Sequence, residues 1–363
     1  MNPIAPEGTP MSTTTNPAGL DGIEFVEFVS PDPGRLHALF TAFGFSRVMR
    51  HATRAVDLYR QGDITLLLNR EHDSFAACFG ALHGPSISSM GWRVKNAGDA
   101  MGAVLARGAT PAPEVDLARD GRPVPAVLGI GDSLIYLVDG YEQPFEARYA
   151  ALGFVALDAP ERVAPKGFTV IDHLTNNVHK GTMGRWAEFY KGVFGFTEVR
   201  YFDIRGAKTG LTSYALRSPC GRFCIPINEA SEKKSQINEY LDEYNGPGIQ
   251  HLAFLTDDLL ASLDALRGTA IGFLDIDDDY YAGVFERVPN VTEDHARIRD
   301  HQVLVDGDAD GYLLQIFTKN LVGPIFIELI QRKNHLSFGE GNFGALFRSI
   351  ERDQAKRGVF NDG

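Results

Sequence analysis

Short apolar runs with the alternation of strands recur along the chain, separated by stretches with the three-to-four-residue apolar spacing of helices. The order of these runs repeats. GLDGIEFVEF from Gly19 resembles GFTVIDHLTN from Gly167. Each leads into a helix-like segment that closes on the same tripeptide, Phe43-Gly44-Phe45 and later Phe194-Gly195-Phe196. GPSISSMGWRV from Gly84 aligns without a gap to GPGIQHLAFLT from Gly246, and each copy precedes a short helical pattern, AGDAMGAVLARG or DDLLASLDALRG. Late in each half stands one more strand-like run, Leu134 to Val138 and Ile325 to Leu329. A unit written twice predicts two copies of one supersecondary module. The element types predict an α+β fold of two tandem modules, each an open sheet curled around one face with helices outside. The expected organisation is a flexible tail over 1–19, a first module over 20–150, an Ala- and Pro-containing linker over 151–166, and a second module over 167–363.

Aligning the copies separates candidate chemistry from scaffold. His173 falls opposite Phe25, His251 opposite Ser89 and, on a looser alignment, Glu328 opposite Leu137. All three polar residues sit inside apolar strand runs: VIDHLTN, GIQHLAFL and PIFIELIQ. Each alone reads as an ordinary hydrogen-bonded core residue. Together they are ligand types present in one copy and absent from the other, the pattern expected if they share one metal. A buried carboxylate without a partner is costly, which makes Glu328 the informative member. Two imidazoles and one carboxylate leave three open positions, as in non-heme iron(II) oxygenases. Zinc, with hydrolytic or glyoxalase-type chemistry, stays open on the residues alone.

The C-terminal segment has its own pattern. Asn342 can cap a helix whose residues Phe343, Leu346, Phe347 and Ile350 share one face, and Gly358 can end it. Gly339 and Gly341 offer a hinge before it.

Composition narrows the remaining classes. A chain of 363 residues suits two domains of roughly 150 each. No run approaches the ~18 apolar residues of a membrane span. The net charge of −12, without a basic stripe, speaks against nucleic acid as a partner. The N-terminus lacks the basic start and apolar core of a signal peptide, so the three cysteines are expected as reduced thiols in a cytoplasmic protein. Cys220 and Cys224 read as small buried residues rather than half a zinc site. The run from Asp306 to Gly311 imitates a calcium loop, but its twelfth position is Phe317 where Glu is needed, so it reads as a hairpin loop. Asp275 to Asp279 reads as a solvated acidic loop, and His37, His51 and His295 as structural or exposed. No GxGxxG after a strand, P-loop or GxSxG elbow is present.

The motifs IDHLTNNV (171–178), GLTS (210–213), PINE (226–229), GIQHLAF (248–254), LLQIF (313–317), FIELIQRK (326–333) and FGEGNFGALFRSIERDQ (338–354) resemble those of the vicinal oxygen chelate superfamily and, within it, the 4-hydroxyphenylpyruvate dioxygenase family. The resemblance runs in order from about Leu20 to Gly358. It implies one Fe(II) per chain held by His173, His251 and Glu328. It implies 4-hydroxyphenylpyruvate and O₂ as substrates, whose α-keto acid chelates the metal and is lost as CO₂ while the ring is hydroxylated and the side chain migrates, giving homogentisate in tyrosine catabolism. It places Ser213, Asn228, Gln236, Gln250 and Gln315 around the substrate, with Gln250 and Gln315 acting beside the iron centre. Phe317, Phe326, Phe338 and Phe343 form the aromatic lining, with Asn342 nearby, and the helix over 342–357 is the lid. A homo-oligomer, dimer or tetramer, is also expected. The alternative within the resemblance is hydroxymandelate synthase, which shares triad and substrate but oxidises the benzylic carbon. Ring-hydroxylating members resemble this chain in carrying Phe where it has Phe317; the synthase has a smaller aliphatic residue. A metal-free binding module is the rival from another class, and the intact triad stands against it.

Overall fold

The computed structural model describes residues 15–205, 210–232 and 234–357. Two eight-stranded sheets account for the repeat. The first contains β1 (Leu20–Val29), β2 (Ser46–His51), β3 (Val56–Gln61), β4 (Ile64–Asn69), β5 (Ser86–Val94), β6 (Ala126–Leu128), β7 (Leu134–Val138) and β8 (Phe154–Glu161), in the order β8-β2-β3-β4-β1-β5-β7-β6. The second contains β9 (Phe168–Val178), β10 (Thr197–Arg205), β11 (Gly210–Arg217), β12 (Cys224–Ala230), β13 (Gly248–Thr256), β14 (Leu304–Gly307), β15 (Tyr312–Phe317) and β16 (Phe326–Lys333), in the order β10-β11-β12-β9-β13-β16-β15-β14. Seven strands correspond one to one; β8 and β14 are additions at opposite edges. Each central strand, β1 or β9, is parallel to one neighbour and antiparallel to the other.

The strand registers test the repeat alignment. Thr175 lies across from His251 as Glu27 lies across from Ser89, so His173 does match Phe25. Ala253 lies across from Glu328 as Gly91 lies across from Tyr136. The residue opposite Glu328 in the repeat is therefore Tyr136, not Leu137. Side chains alternate between sheet faces, so the one-residue difference decides which face is meant. Leu137 corresponds to Leu329, and both are buried.

The shared tripeptide stops a helix and docks a module. After α1 (Pro33–Ala42) and α2 (Met183–Phe194), Gly44 and Gly195 take φ of +87° and +79°, a left-handed conformation that favours glycine. The flanking phenylalanines then enter the core at the junction of the modules. Trp92 packs on Phe194 and Phe196, at 4.9 and 5.8 Å between ring centroids. Its repeat counterpart Phe254 packs on Phe43 and Phe45, at 6.0 and 5.5 Å. Each module thus inserts one aromatic ring into the helix stop of the other.

Two boundaries and one helix cap differ from expectation. The stretch 151–166 is not a bare linker: it carries β8, paired antiparallel to β2 and anchored by buried Phe154. Residues 15–19 are not loose tail: Asn16 bonds both the N–H and the carbonyl of Leu20, Ala18 is buried, and the Thr15 carbonyl lies against Gly195. The C-terminal helix, α3, spans Phe343–Lys356, but Asn342 caps it without its side chain. The Asn342 amide oxygen instead accepts from Tyr280 Oη at 2.6 Å and from Arg287 at 3.3 Å. Residues 1–14 and Gly358 lie outside the described residues.

Candidate active site

In β9, β13 and β16, alternation aims His173, His251 and Glu328 to the concave face of the second sheet. Walls of the same pocket also come from β11, β12 and β15. Six neighbouring strands ~4.8 Å apart can line one pocket only if the sheet curls, which is the predicted half-barrel.

The three side chains converge tightly. His173 Nε2 lies 3.0 Å from Glu328 Oε2, His251 Nε2 lies 3.3 Å from the same oxygen, and the two Nε2 atoms are 3.3 Å apart. All three are buried. Ligand bonds of about 2.1 Å meeting at near-right angles would put neighbouring donor atoms about 3 Å apart, so the triad fits one face around a metal. The opposite ring atoms fix the tautomers. Asp172 Oδ2 is 2.7 Å from His173 Nδ1, and Gln250 Oε1 is 3.0 Å from His251 Nδ1. With protons held at Nδ1, both Nε2 lone pairs face inward.

The electrostatics match a cation site. Burial opposes charging His173, but the Glu328 and Asp172 carboxylates outweigh it and hold the imidazole up at about 9. Burial likewise opposes an ionised Glu328, yet His173 and His251 bring it down to about 2. Desolvation dominates at His251 and keeps it neutral more readily than usual. Without a metal, a proton on His173 balances the carboxylate.

Around the triad lie Ser213, Asn228, Gln236, Gln250, Phe317, Phe326, Phe338 and Phe343, as the resemblance implies. The Phe326 ring stacks on His251 at 4.7 Å, and Phe338 meets His173 edge-on at 5.3 Å. Asn228 donates to Asn177 at 3.3 Å and faces Gln250 Oε1 at 3.5 Å, which orders the amides next to His251.

Two expected residues are not in the walls. Gln315 shares the face of Phe317 but is wholly buried under Gly339, and neither atom of its amide has a partner among the described residues. Asn342 is turned away to Tyr280 and Arg287. The helix expected as a lid lies over the site: Leu346, Phe347 and Ile350 of α3 complete the pocket with Phe343. The acidic run is not merely solvated, because Asp277 accepts from Arg352 at 2.5 Å and Arg348 at 3.3 Å, holding α3. Glu239, on the helix Gln236–Tyr244, takes Gln354 at 2.9 Å and pairs with Arg357.

Sequence reasoning assigned no role to Asp172 and Arg332. Arg332 donates to the two oxygens of Asp172 at 2.7 and 2.8 Å. The available sign was a charge inside each apolar strand, VIDHLTN and FIELIQRK, one of them next to a ligand. Cys224 is half-buried, its thiol pushed up to about 12 chiefly by burial, in keeping with an inert thiol.

Residues 14–150 match the family described as "Hydroxyphenylpyruvate dioxygenase, HPPD, N-terminal", and residues 170–316 match the "Glyoxalase/Bleomycin resistance protein/Dioxygenase superfamily". Protein MelA of Shewanella colwelliana is 58% identical over 96% of this chain and all of its own length. The 4-hydroxyphenylpyruvate dioxygenase of Legionella pneumophila is 43% identical over 96% of this chain and 98% of its own. Among solved structures, a mutant 4-hydroxymandelate synthase from Streptomyces coelicolor superposes with a TM-score of 0.76 at 26% identity, covering 92% of this chain and 99% of that one.

Proposed function

The chain belongs to the 4-hydroxyphenylpyruvate dioxygenase family, and we propose that it converts 4-hydroxyphenylpyruvate and O₂ to homogentisate and CO₂ at one Fe(II) held by His173, His251 and Glu328. Bound iron would supply the chelation of the keto acid and the activation of O₂. The observation that carries the reading is the charge of the pocket. Apart from the triad, its walls are apolar or neutral amide and hydroxyl groups, and among the described residues no Lys or Arg reaches in. An anionic keto acid therefore finds its countercharge only at the triad: a divalent cation beside one carboxylate leaves one positive charge for one substrate carboxylate. Unpaired buried charge would be costly, so the substrate's acid end is directed to the metal and its ring to the far wall.

The chain's residues then divide the work. Phe317 and Phe326 hold the aromatic ring. Ser213, Asn228 and Gln236 are positioned to bond a phenol. The apolar face of α3 excludes water from the reacting end. Hydroxymandelate formation from the same substrate is the second reading, favoured by the structural likeness to the synthase. Chromatography of the products from 4-hydroxyphenylpyruvate, Fe(II) and O₂ tests the choice: homogentisate is expected, and hydroxymandelate as the main product would replace the assignment.

A further inference from the structure

We infer that Asp172 is a positioning residue for the metal site, acting on His173 directly and, through Arg332, on the segment that lays Phe338 over it. The inference rests on the metal reading of the triad.

Neighbours along a strand normally point to opposite faces, yet Asp172 bonds the side chain of His173. A bulge permits this. The pairing of β9 with β13 passes from Ile171–Phe254 to His173–Ala253, leaving Asp172 as the extra residue. The first module has the same bulge at Glu24, between Ile23–Trp92 and Phe25–Gly91. There the buried acid binds Arg93 at 2.6 Å and Arg148 at 2.9 Å, and its neighbour is Phe25. An acid paired with arginine at the bulge is thus common to both copies. Only the second copy turns it onto a histidine.

Arg332 uses its two edges differently. Nε and Nη2 grip the Asp172 carboxylate, while Nη1 donates to the carbonyls of Ser337 at 2.6 Å and His335 at 3.1 Å. Arg332 follows Glu328 on the same strand, and its guanidinium carbon sits 5.7 Å from the Phe338 ring. One carboxylate consequently fixes the His173 tautomer and the turn leading into the lid.

Replacement by asparagine separates geometry from chemistry. The amide oxygen of Asp172→Asn would be held by the Arg332 donors, turning its NH₂ toward His173 Nδ1. The imidazole would then accept at Nδ1 and carry its proton on Nε2, the atom that must be bare to bind metal. Loss of such an outer partner typically costs 10–100-fold in metal affinity.

The test is anaerobic titration of Fe(II) into the metal-free full chain, beside hydrogen exchange over 335–343. Asp172→Asn should bind Fe(II) 10–100-fold more weakly than the parent. Arg332→Lys, which keeps the charge but cannot span both carbonyls, should stay within about three-fold in affinity yet exchange faster over 335–338. Equal weakening in both variants would make the pair a purely structural brace, and parental affinity in Asp172→Asn would remove the positioning role. Unchanged exchange in Arg332→Lys would sever the link to the lid. A check without variants is ¹⁵N NMR of the Zn(II)-loaded parent: a low-field Nδ1 proton on His173 is expected, and its absence would overturn the inference even if Asp172→Asn did not fold. A parent that binds neither metal would sink the metal reading itself.

Discussion

Glu328 and Glu27 are both buried carboxylates, and they behave oppositely. Glu328 is drawn down by two histidines, so its removal should be felt at the metal rather than in the fold. Glu328→Ala is expected to abolish turnover and weaken Fe(II) binding by roughly 100-fold or more, beyond the usual cost of losing an outer partner; iron content and melting of the purified variant check it. Among the described residues, Glu27 has Ser89, Ser88 and Asn69 as its donors, at 2.6, 3.2 and 2.9 Å. Burial raises its carboxyl, Ser89 opposes this, and Asp116 adds to the rise. An acid raised in the folded state favours folding most when protonated. Its contribution is lost as pH climbs from the unfolded value of 4.5 through the folded one. Glu27→Gln should therefore raise the melting temperature at pH 7–8 by about 2 °C, with a gain that shrinks toward pH 4.5; melts across pH decide, and a gain constant with pH would refute the cause. Phe317, 6.2 Å from Phe326 by ring centroid, bounds the space where the substrate ring would lie. Because reacting atoms must approach to about 3–3.5 Å, Phe317→Ile should divert part of the product to hydroxymandelate, and an unaltered ratio on chromatography would clear Phe317 of that role. The triad was legible because three ligand types interrupt apolar strands. Tyr136 was missed because the looser third alignment slipped by one residue, and the covering of Gln315 depends on Gly339, which folds over it from a distant segment.

Among the elements, α3 is the one whose face could be read directly. Phe343, Leu346, Phe347 and Ile350 recur at helical spacing, and all four meet the pocket. What holds the helix there was not legible, because its anchors are charges remote in sequence: Asp277 for Arg348 and Arg352, Asp275 for Lys356, Glu239 for Gln354 and Arg357. Such exposed pairs are individually weak and screened by salt, so α3 is held over the pocket by apolar contact and several small electrostatic increments. Deleting residues 338–363 should leave iron binding but uncouple O₂ uptake from product. An oxygen electrode run beside product analysis measures this, and full coupling in the truncated chain would count against a lid. The strand β8 was hidden for a related reason. Nothing in residues 151–166 alternates clearly, and the free hydrogen-bonding edge of β2 decides its conformation.

At the scale of the molecule, the duplicated pattern foretold two modules but not how they hold one another. Trp92 and Phe254 occupy matching places and each enters the opposite module's helix stop. Neither core is complete alone, so the chain should melt in one transition, and residues 167–357 expressed by themselves should expose apolar surface and bind a dye such as ANS; a well-folded isolated half would disprove the interdependence. The full chain should take up one Fe(II), with anomalous scattering showing none within residues 20–150. The reason is more than missing donors. In the first module Phe25 and Tyr136 stand where His173 and Glu328 stand in the second, their rings 5.9 Å apart, and a Cβ on Gly91 would overlap Phe25. The space a metal would need has been filled by interlocking rings. Placing a histidine at position 25 would bury an unpaired polar ring among apolar side chains, costing about 1–3 kcal/mol before any ligand could repay it. The duplication is therefore uneven in a self-sustaining way: with this copy packed shut, single substitutions toward a second metal centre run uphill, and steric hindrance adds to the missing donors in keeping the two halves unequal.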